Sequence, residues 1–596
     1  MNYRTQFLAA IAASGVVLLL QSPPCHAQPS PSPVLIAPQN SASYAFGSVA
    51  QGSIFVARGR NLGPAKLVEA GLYPLSLQLA GTSATVALGG AVLPCPMVYT
   101  SSAQIAAILP SNTPAGSGTF TVTYNGQTSS GVPIQVVKSA VGIFTASSSG
   151  IGQGIVTGAD YVLKTPAKPA KTGEVLIAWV TGLGPVEGGD TAPKPGLQFP
   201  QTEVFVGDRS AKVIYAGRSG CCAGLDQIVF EAPEGPRSCF VPVSIRTAGG
   251  SSNFVTLPVS GGGEPCANST PGISAGALSK SLGGDPVTIG FLGIGPIAVL
   301  QGAGFSFSQG IADQMSRILR MPVAEADVAR LVRSYRAKNM ASVQKIVGKY
   351  SSHVTTADAR VIRNIIRSAI SRDQKGAAAL FIRSSGSAAI APQFGSNFPA
   401  VGSCMVTTRV PNDETFRTRP LDAGTALTVD GPAGRKTLTR ISNGQYQVLL
   451  GPGGTLTGTA PGIYTITGTG GKDVGAFTAS INASTPLVWT NKAAVVEVDR
   501  TQPLSITWSG GSAASHVLIG GTASGGATGS ALFTCVEETQ KGAFTVPQFV
   551  LSALPSAREG TVFIAPHPLS NPIAIPGLDL AFLGDGSSDS RELPIR

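Results

Sequence analysis

A chain of 596 residues that is 43% apolar, only 12% charged and formally +11 carries about half the usual share of charge and ample material for several cores. Its 74 glycines and 44 prolines make up about a fifth of the residues, below the quarter or more that marks a disordered chain. At roughly 150 residues per domain the length allows about four domains, and low charge with many Thr, Val and Ile runs describes an extracellular, mainly β protein.

The first 27 residues set the expected compartment. Arg4 supplies a positive start, and residues 7–20 form an apolar stretch too short for a comfortable membrane span. His26-Ala27 then leads into Gln28-Pro-Ser-Pro-Ser-Pro33. The pattern predicts a secretory signal over 1–27, cleaved near Ala27–Gln28. Ser22-Pro23-Pro24 ahead of Cys25 is a poor lipobox and argues against lipidation. No later apolar run reaches about 18 residues, so no transmembrane segment is expected after cleavage.

An internal repeat follows. Gly52-Ser-Ile-Phe-Val-Ala-Arg-Gly-Arg-Asn-Leu-Gly-Pro64 matches Gly173-Glu-Val-Leu-Ile-Ala-Trp-Val-Thr-Gly-Leu-Gly-Pro185, and Val98-Tyr99, Gln104-Ile105 and Pro110 match Ile214-Tyr215, Gln227-Ile228 and Pro233. The offset stays near 120, so two copies of one unit are expected, over 28–140 (from about residue 34) and 141–260. Each copy reads as short strands between Gly/Pro turns. Residues 119–124 alternate up to an Asn125-Gly126 hairpin signal. Such strands make a sandwich.

Residues 261–304 read as a Gly-rich linker or β segment. Beyond Met321-Pro322, Val328, Leu331, Val332 and Tyr335 take helical spacing, and Val343, Ile346, Val347 and Tyr350 repeat it. Thr355-Thr356-Ala-Asp358 looks like a capped helix start, followed by Ile362, Ile365, Ile366, Ala369 and Ile370. This predicts a basic helical insert and return segment over 305–403. Residues 311–383 hold 14 Lys and Arg against 5 Asp and Glu, a net +9 that accounts for nearly all the charge of the chain. From Cys404 the β pattern returns, in Gly462-Ile-Tyr-Thr-Ile-Thr-Gly468, Leu504-Ser-Ile-Thr-Trp508 and Gly560-Thr-Val-Phe-Ile564. Two further sandwich-like units are expected, over 404–485 and 486–596. The expected fold class is mainly β: tandem immunoglobulin-like sandwiches with a small α-helical insert.

Seven cysteines remain after the signal. In an oxidising compartment they read as disulfides with one left over. Cys221, Cys222, Cys239 and Cys266 form two bridges in this reading, with Cys221 and Cys222 taking different partners because adjacent cysteines rarely bond each other. Cys404 and Cys535 make a third bridge and leave Cys95 free. No Cys-x-x-Cys is present, which argues against a zinc ribbon or a thioredoxin-type site.

The repeat residues carry a resemblance. Arg60-Asn-Leu-Gly-Pro64, Thr181-Gly-Leu-Gly-Pro185, Val213-Ile-Tyr-Ala216 and Gly224-Leu-Asp-Gln-Ile228 resemble a secreted, uncharacterised domain family abundant in acidobacterial exported proteins, built of paired immunoglobulin-like units of the IPT/TIG kind. The resemblance covers roughly 34–260. The tail is similar to a companion β module of that family, through Leu421-Asp-Ala-Gly424, Lys472-Asp-Val-Gly-Ala-Phe477, Leu487-Val-Trp-Thr-Asn491, Thr507-Trp-Ser-Gly-Gly511 and Phe544-Thr-Val-Pro547. The basic helical segment is not part of the pattern. The resemblance implies export, the fold and no catalytic residues.

Candidate chemistry is sparse. Only His353, His516 and His567 survive export, and neither Gly-x-Ser-x-Gly nor His-Glu-x-x-His occurs. Gly293-Ile-Gly295-Pro-Ile-Ala298 formally resembles a dinucleotide loop, but Pro296 and the exported context argue for a linker or turn. Asp473, Asp579, Asp585 and Asp589 near glycines read as solvated turns rather than calcium ligands. Asn268-Ser-Thr270 reads as a polar linker rather than a glycosylation site. Trp179, Trp489 and Trp508 lie in apolar strands and read as core before sugar-stacking platforms. No catalytic residue, cofactor or metal site is expected.

The sharpest feature is the basic helical face. Arg330, Arg333, Arg336 and Lys338 lie on one helix, and Arg360, Arg363 and Arg367 share a face of the next. Such a face suits an anionic partner, lipid headgroup or acidic polysaccharide, and an ordinary solvated face is the plainer reading. No nucleic-acid partner is expected. The chain reads as an exported, non-catalytic binding or adhesion protein whose partner is an envelope or extracellular polymer or protein. A structural spacer docked through the insert is the second reading and a secreted hydrolase the third. Oligomeric state stays open.

Overall fold

The computed structural model describes residues 32–45, 47–199, 201–235, 237–266, 280, 285–296, 327, 331, 341, 345, 375–385, 399–409, 417–432, 434–442, 444–450, 462–483, 486–513, 515–524, 530–567, 572–585 and 588–596. The expected signal segment over 1–27, Cys25 and Asn268 lie outside them. The chain is mainly β, with immunoglobulin-like sandwiches.

The first unit packs two sheets. One places Ile54–Arg60 between Val34–Leu35 and Gln104–Ile108, with Met97–Thr100 and Val68–Glu69 beyond. The other runs Val49–Ala50, Val132–Val137, Gly116–Tyr124, Thr82–Leu88, Gln78–Leu79. Alternation builds the core. In Thr82–Leu88 the residues Thr82, Ala84, Val86 and Leu88 are buried, and those between them are not. Phe55 meets Phe120 edge to face across the sheets, centroids 5.3 Å apart.

The second unit repeats this topology. Val175–Thr181 pairs antiparallel with Asp226–Glu231 as Ile54–Arg60 pairs with Gln104–Ile108. Ala170–Lys171 lies parallel to Val255–Ser260 as Val49–Ala50 lies parallel to Val132–Val137. One difference has a local cause. Arg209–Arg218 is a single strand serving both sheets. Its counterpart in the first unit is cut into Ala91–Cys95 and Met97–Thr100 around Pro96, which has no N–H to donate.

The remaining strands sort themselves differently from the expected boundaries. Val287–Pro296 realises the β alternative expected for 261–304: it is an inner strand of a nine-stranded sheet, antiparallel to Lys375–Ser385 and parallel to Leu580–Asp585. The Gly293–Pro296 stretch therefore lies in a strand, not in a turn or a phosphate-binding loop. Gly290 makes room for its neighbours: a Cβ there would sit 2.8 Å from Leu578 Cδ1 and 3.2 Å from Phe381. The expected units 404–485 and 486–596 also exchange strands. Ser403–Arg409 pairs with Ser530–Glu538 in a five-stranded sheet of the C-terminal region, while Leu580–Asp585 crosses to the nine-stranded sheet. Non-local pairing decides this, and strand-by-strand spacing does not encode it.

The insert connects paired neighbours. Pro296 and Lys375 face each other across the hairpin, so residues 297–374 leave and re-enter the sheet at one place. Asp327, Leu331, Ala341 and Lys345 are helical, in keeping with the predicted helices. Arg330, Arg333, Arg336, Lys338, Arg360, Arg363 and Arg367 lie outside the described residues, as does His353. No helix among the described residues is long and apolar enough to cross a membrane.

Candidate functional site

The disulfides correct one expectation. Cys221 and Cys222 bond each other, Cys239 bonds Cys266, Cys404 bonds Cys535, and Cys95 is free and buried. Cys221 and Cys222 do not take different partners, because the strand Asp226–Glu231 stands between the two pairs. Its six residues span roughly 17–20 Å, with the adjacent cysteines before its first residue and Cys239 beyond its last. Each pair is thus confined to its own end of the second sandwich. Cys404 and Cys535 sit directly opposite each other in register.

The Cys221–Cys222 turn lies where the two repeat units meet. The joint is polar and closed. The Ile54 N–H donates to Thr181 Oγ1 at 3.0 Å, and that hydroxyl donates to the Gly224 carbonyl at 2.7 Å. Both oxygens of Asp190 accept from Ser111, from its N–H and its hydroxyl, each at 2.7 Å. Ser111 Oγ accepts in turn from the Val186 N–H. At the centre Arg218, 3% exposed, pairs with fully buried Asp226 and donates to the Gly184 carbonyl at 2.7 Å. Asp226 also accepts the Leu183 N–H at 2.9 Å. Gly52 of the first unit faces this guanidinium; it has φ +69°, and a Cβ there would collide with Arg218 Nη2. The Gly-Leu-Gly-Pro motif over 182–185 thus forms the joint, whereas its first-unit copy over 61–64 closes a turn inside its own sandwich, where the Leu62 carbonyl accepts from Thr82.

On the outer side the joint is apolar and exposed. The Ala223 N–H donates to Tyr73 Oη at 3.1 Å, and Ala223 packs with Leu75 and Ile108. The Leu75 N–H donates to the Thr191 carbonyl at 2.7 Å. This pins the loop 70–77 of the first unit onto the Cys221–Cys222 turn of the second. Leu72 is 85% exposed on that loop, and Tyr73 and Leu77 are exposed beside it. Sequence reading missed this surface, although Leu72-Tyr-Pro-Leu-Ser-Leu77 is an apolar run without strand alternation.

The other nominated residues fall into place individually. Trp489 and Trp508 are buried core residues, and Trp179 is only half-buried. Asp473 accepts the Asp422 N–H, Asp579 pairs with Lys280 and Thr288, and Asp589 pairs with Lys492 and the Trp489 N–H. These carboxylates organise loops. The side chain of Asp585 lies outside the description, and among the described residues no three His, Cys, Asp or Glu side chains converge as metal ligands.

His516 and His567, 51 positions apart in sequence, meet ring to ring at 6.2 Å. Burial, and then the neighbouring His516, push His567 down to about 3. An imidazole so weakly basic is a poor general base at neutral pH. The depressed value makes a stability prediction. His567 binds a proton below about 6.5 in the unfolded chain and only near 3 in the folded one. Folding stability is therefore full above about 6.5 and falls as pH drops toward 3, by about 2 kcal/mol at pH 5. Urea midpoints for the parent and His567→Gln between pH 5 and 8 check this: the variant should lose that part of the slope.

No family model matches the chain, and no curated protein matches it. Solved structures give distant likenesses. Domains 5–6 of the S-layer protein SbsC align with 39% of this chain and 100% of theirs, at 13% identity and a TM-score of 0.15. SGBP-B from a complex xyloglucan utilization locus in Bacteroides uniformis aligns with 41% of this chain and 52% of its own, at 13% identity and a TM-score of 0.15. A protein of unknown function from Bacteroides thetaiotaomicron aligns with 37% of this chain and 48% of its own, at 11% identity and a TM-score of 0.14. The chain spans about half the length of the two Bacteroides proteins. Likenesses at these TM-scores carry no argument about activity, and the immunoglobulin-like reading stands on the sheets and their pairing.

Proposed function

We propose that this chain is an exported, non-catalytic binding protein that attaches to a polymer or protein of the cell envelope or extracellular space, and that it belongs to the acidobacterial family of paired IPT/TIG-like units its repeat resembles. The observation that carries the reading is the joint. Buried polar contacts hold the two sandwiches in one orientation, and the joint presents Leu72, Tyr73 and Leu77 to solvent beside the Cys221–Cys222 turn. Rigid units that present loops are a common design for binding, and an apolar cluster left in water is costly unless it meets a partner. Three disulfides support an oxidising compartment. The purified mature chain should bind its own cells or their wall polymers above an unrelated sandwich control. The Leu72→Asp/Leu77→Asp variant should lose most of that binding at unchanged melting temperature. Binding no better than the control would overturn the reading.

The second reading, a spacer docked through the basic insert, gains from the way the insert enters the sheet. Because Pro296 and Lys375 are register partners, residues 297–374 can be replaced by a two-residue hairpin turn without shifting any strand. A deletion variant that folds yet no longer localises with cells would favour docking. Retained localisation would favour the joint.

A further inference from the structure

We infer that Tyr161 and Trp179 form a subsite for a neutral oligosaccharide of pyranose rings with equatorial hydroxyls. The assignment rests on reading this chain as a binding protein, but it uses a surface distinct from the joint loops. Tyr161 is 66% exposed and stands at φ +62°, a left-handed backbone that bulky side chains rarely adopt. The turn holds it there: the Tyr161 N–H donates to the Gly158 carbonyl, the Gly158 N–H to the Val162 carbonyl, and the Val162 N–H to Asp160 Oδ1. A large ring kept in water on a strained backbone marks a functional position.

Trp179 lies next to it on the outward face of Val175–Thr181. The two ring centroids are 6.1 Å apart and the planes are tilted by 37°, so the rings are not stacked flat on each other. Trp179 Nε1 donates to Thr157 Oγ1 at 3.2 Å, which fixes the indole without using its face. A pyranose with equatorial hydroxyls offers an apolar patch of axial C–H bonds, and the electron-rich face of an aromatic ring attracts them. Its hydroxyls need polar partners at the edge, and the same hairpin supplies them. Asp160 precedes Tyr161, and Gly158 lies beside the Lys164–Glu174 ion pair. These three groups sum to one negative charge, which disfavours an acidic polysaccharide.

The chain carries its own probe. It has three tryptophans, and two of them, Trp489 and Trp508, are buried, so quencher-accessible emission reports Trp179. Titration of the mature chain with cellohexaose, xylohexaose or chitohexaose should shift that emission and protect it from acrylamide. Tyr161→Gly removes the ring while glycine accepts the backbone. It should melt at the same or a higher temperature and weaken oligosaccharide binding about 10-fold. Unchanged emission with all three oligosaccharides overturns the inference, as does tighter binding of polygalacturonate. If emission is silent while the chain still binds cells through Leu72 and Leu77, the oligosaccharide subsite fails and the proposed function stands.

Discussion

Arg218→Ala should cost about 3–5 kcal/mol of stability, measured as a urea or thermal midpoint, because it strands the fully buried Asp226 without its counter-charge. The magnitude follows from asymmetry. A buried pair adds little net stability when both partners are present, since desolvation offsets attraction, but losing one partner leaves the whole desolvation cost of the other. The double variant Arg218→Met/Asp226→Leu should therefore recover much of the loss, and a double-mutant cycle should show strong coupling. Arg218 also holds the Gly184 carbonyl opposite Gly52, so the single variant should loosen the joint and raise proteolysis between the units. A single-variant cost below about 1 kcal/mol would show that water reaches the pair and would remove the argument for a rigid joint.

The second large effect separates the disulfides by the chain they close. Cys404 and Cys535 are 131 residues apart, and the chain-entropy relation assigns such a loop about 5 kcal/mol. The variant Cys404→Ala/Cys535→Ala should lose about that much, and the five-stranded C-terminal sheet should show it first by hydrogen exchange, since this bridge holds its edge strand. The Cys221–Cys222 bond closes no loop beyond its own turn, so Cys221→Ser/Cys222→Ser should cost about 1 kcal/mol. Its consequence is local: the turn carrying the Ala223 N–H that Tyr73 accepts would lose its shape. Equal costs for the two variants would show that loop entropy is not what these bonds supply.

Fold class and the tandem repeat were legible in the chain itself. Period-two alternation in residues 119–124, and Asn125-Gly126 between strands, act over neighbouring residues, so the pattern reports them directly. Local rules fell short at one glycine-rich strand and at one pair of adjacent cysteines. Glycines near 290 left linker and β segment both open, and Gly290 lies in a strand where it admits Phe381 and Leu578. Adjacent cysteines rarely bond each other, yet Cys221 and Cys222 do, with a six-residue strand between them and Cys239.

The sequence alone determined the number of cysteines left over, the boundary of the charge-rich segment and the register match between the two units, because each is a property of spacing along one chain. Only the tertiary structure decided which copy of the Gly-Leu-Gly-Pro motif became a joint, that Trp179 stays half-buried while Trp489 and Trp508 are buried, and that Leu580–Asp585 joins a strand nearly 300 positions earlier. Those outcomes depend on partners brought together across long loops, whose closure entropy grows so slowly with length that spacing along the chain says little about which contact wins.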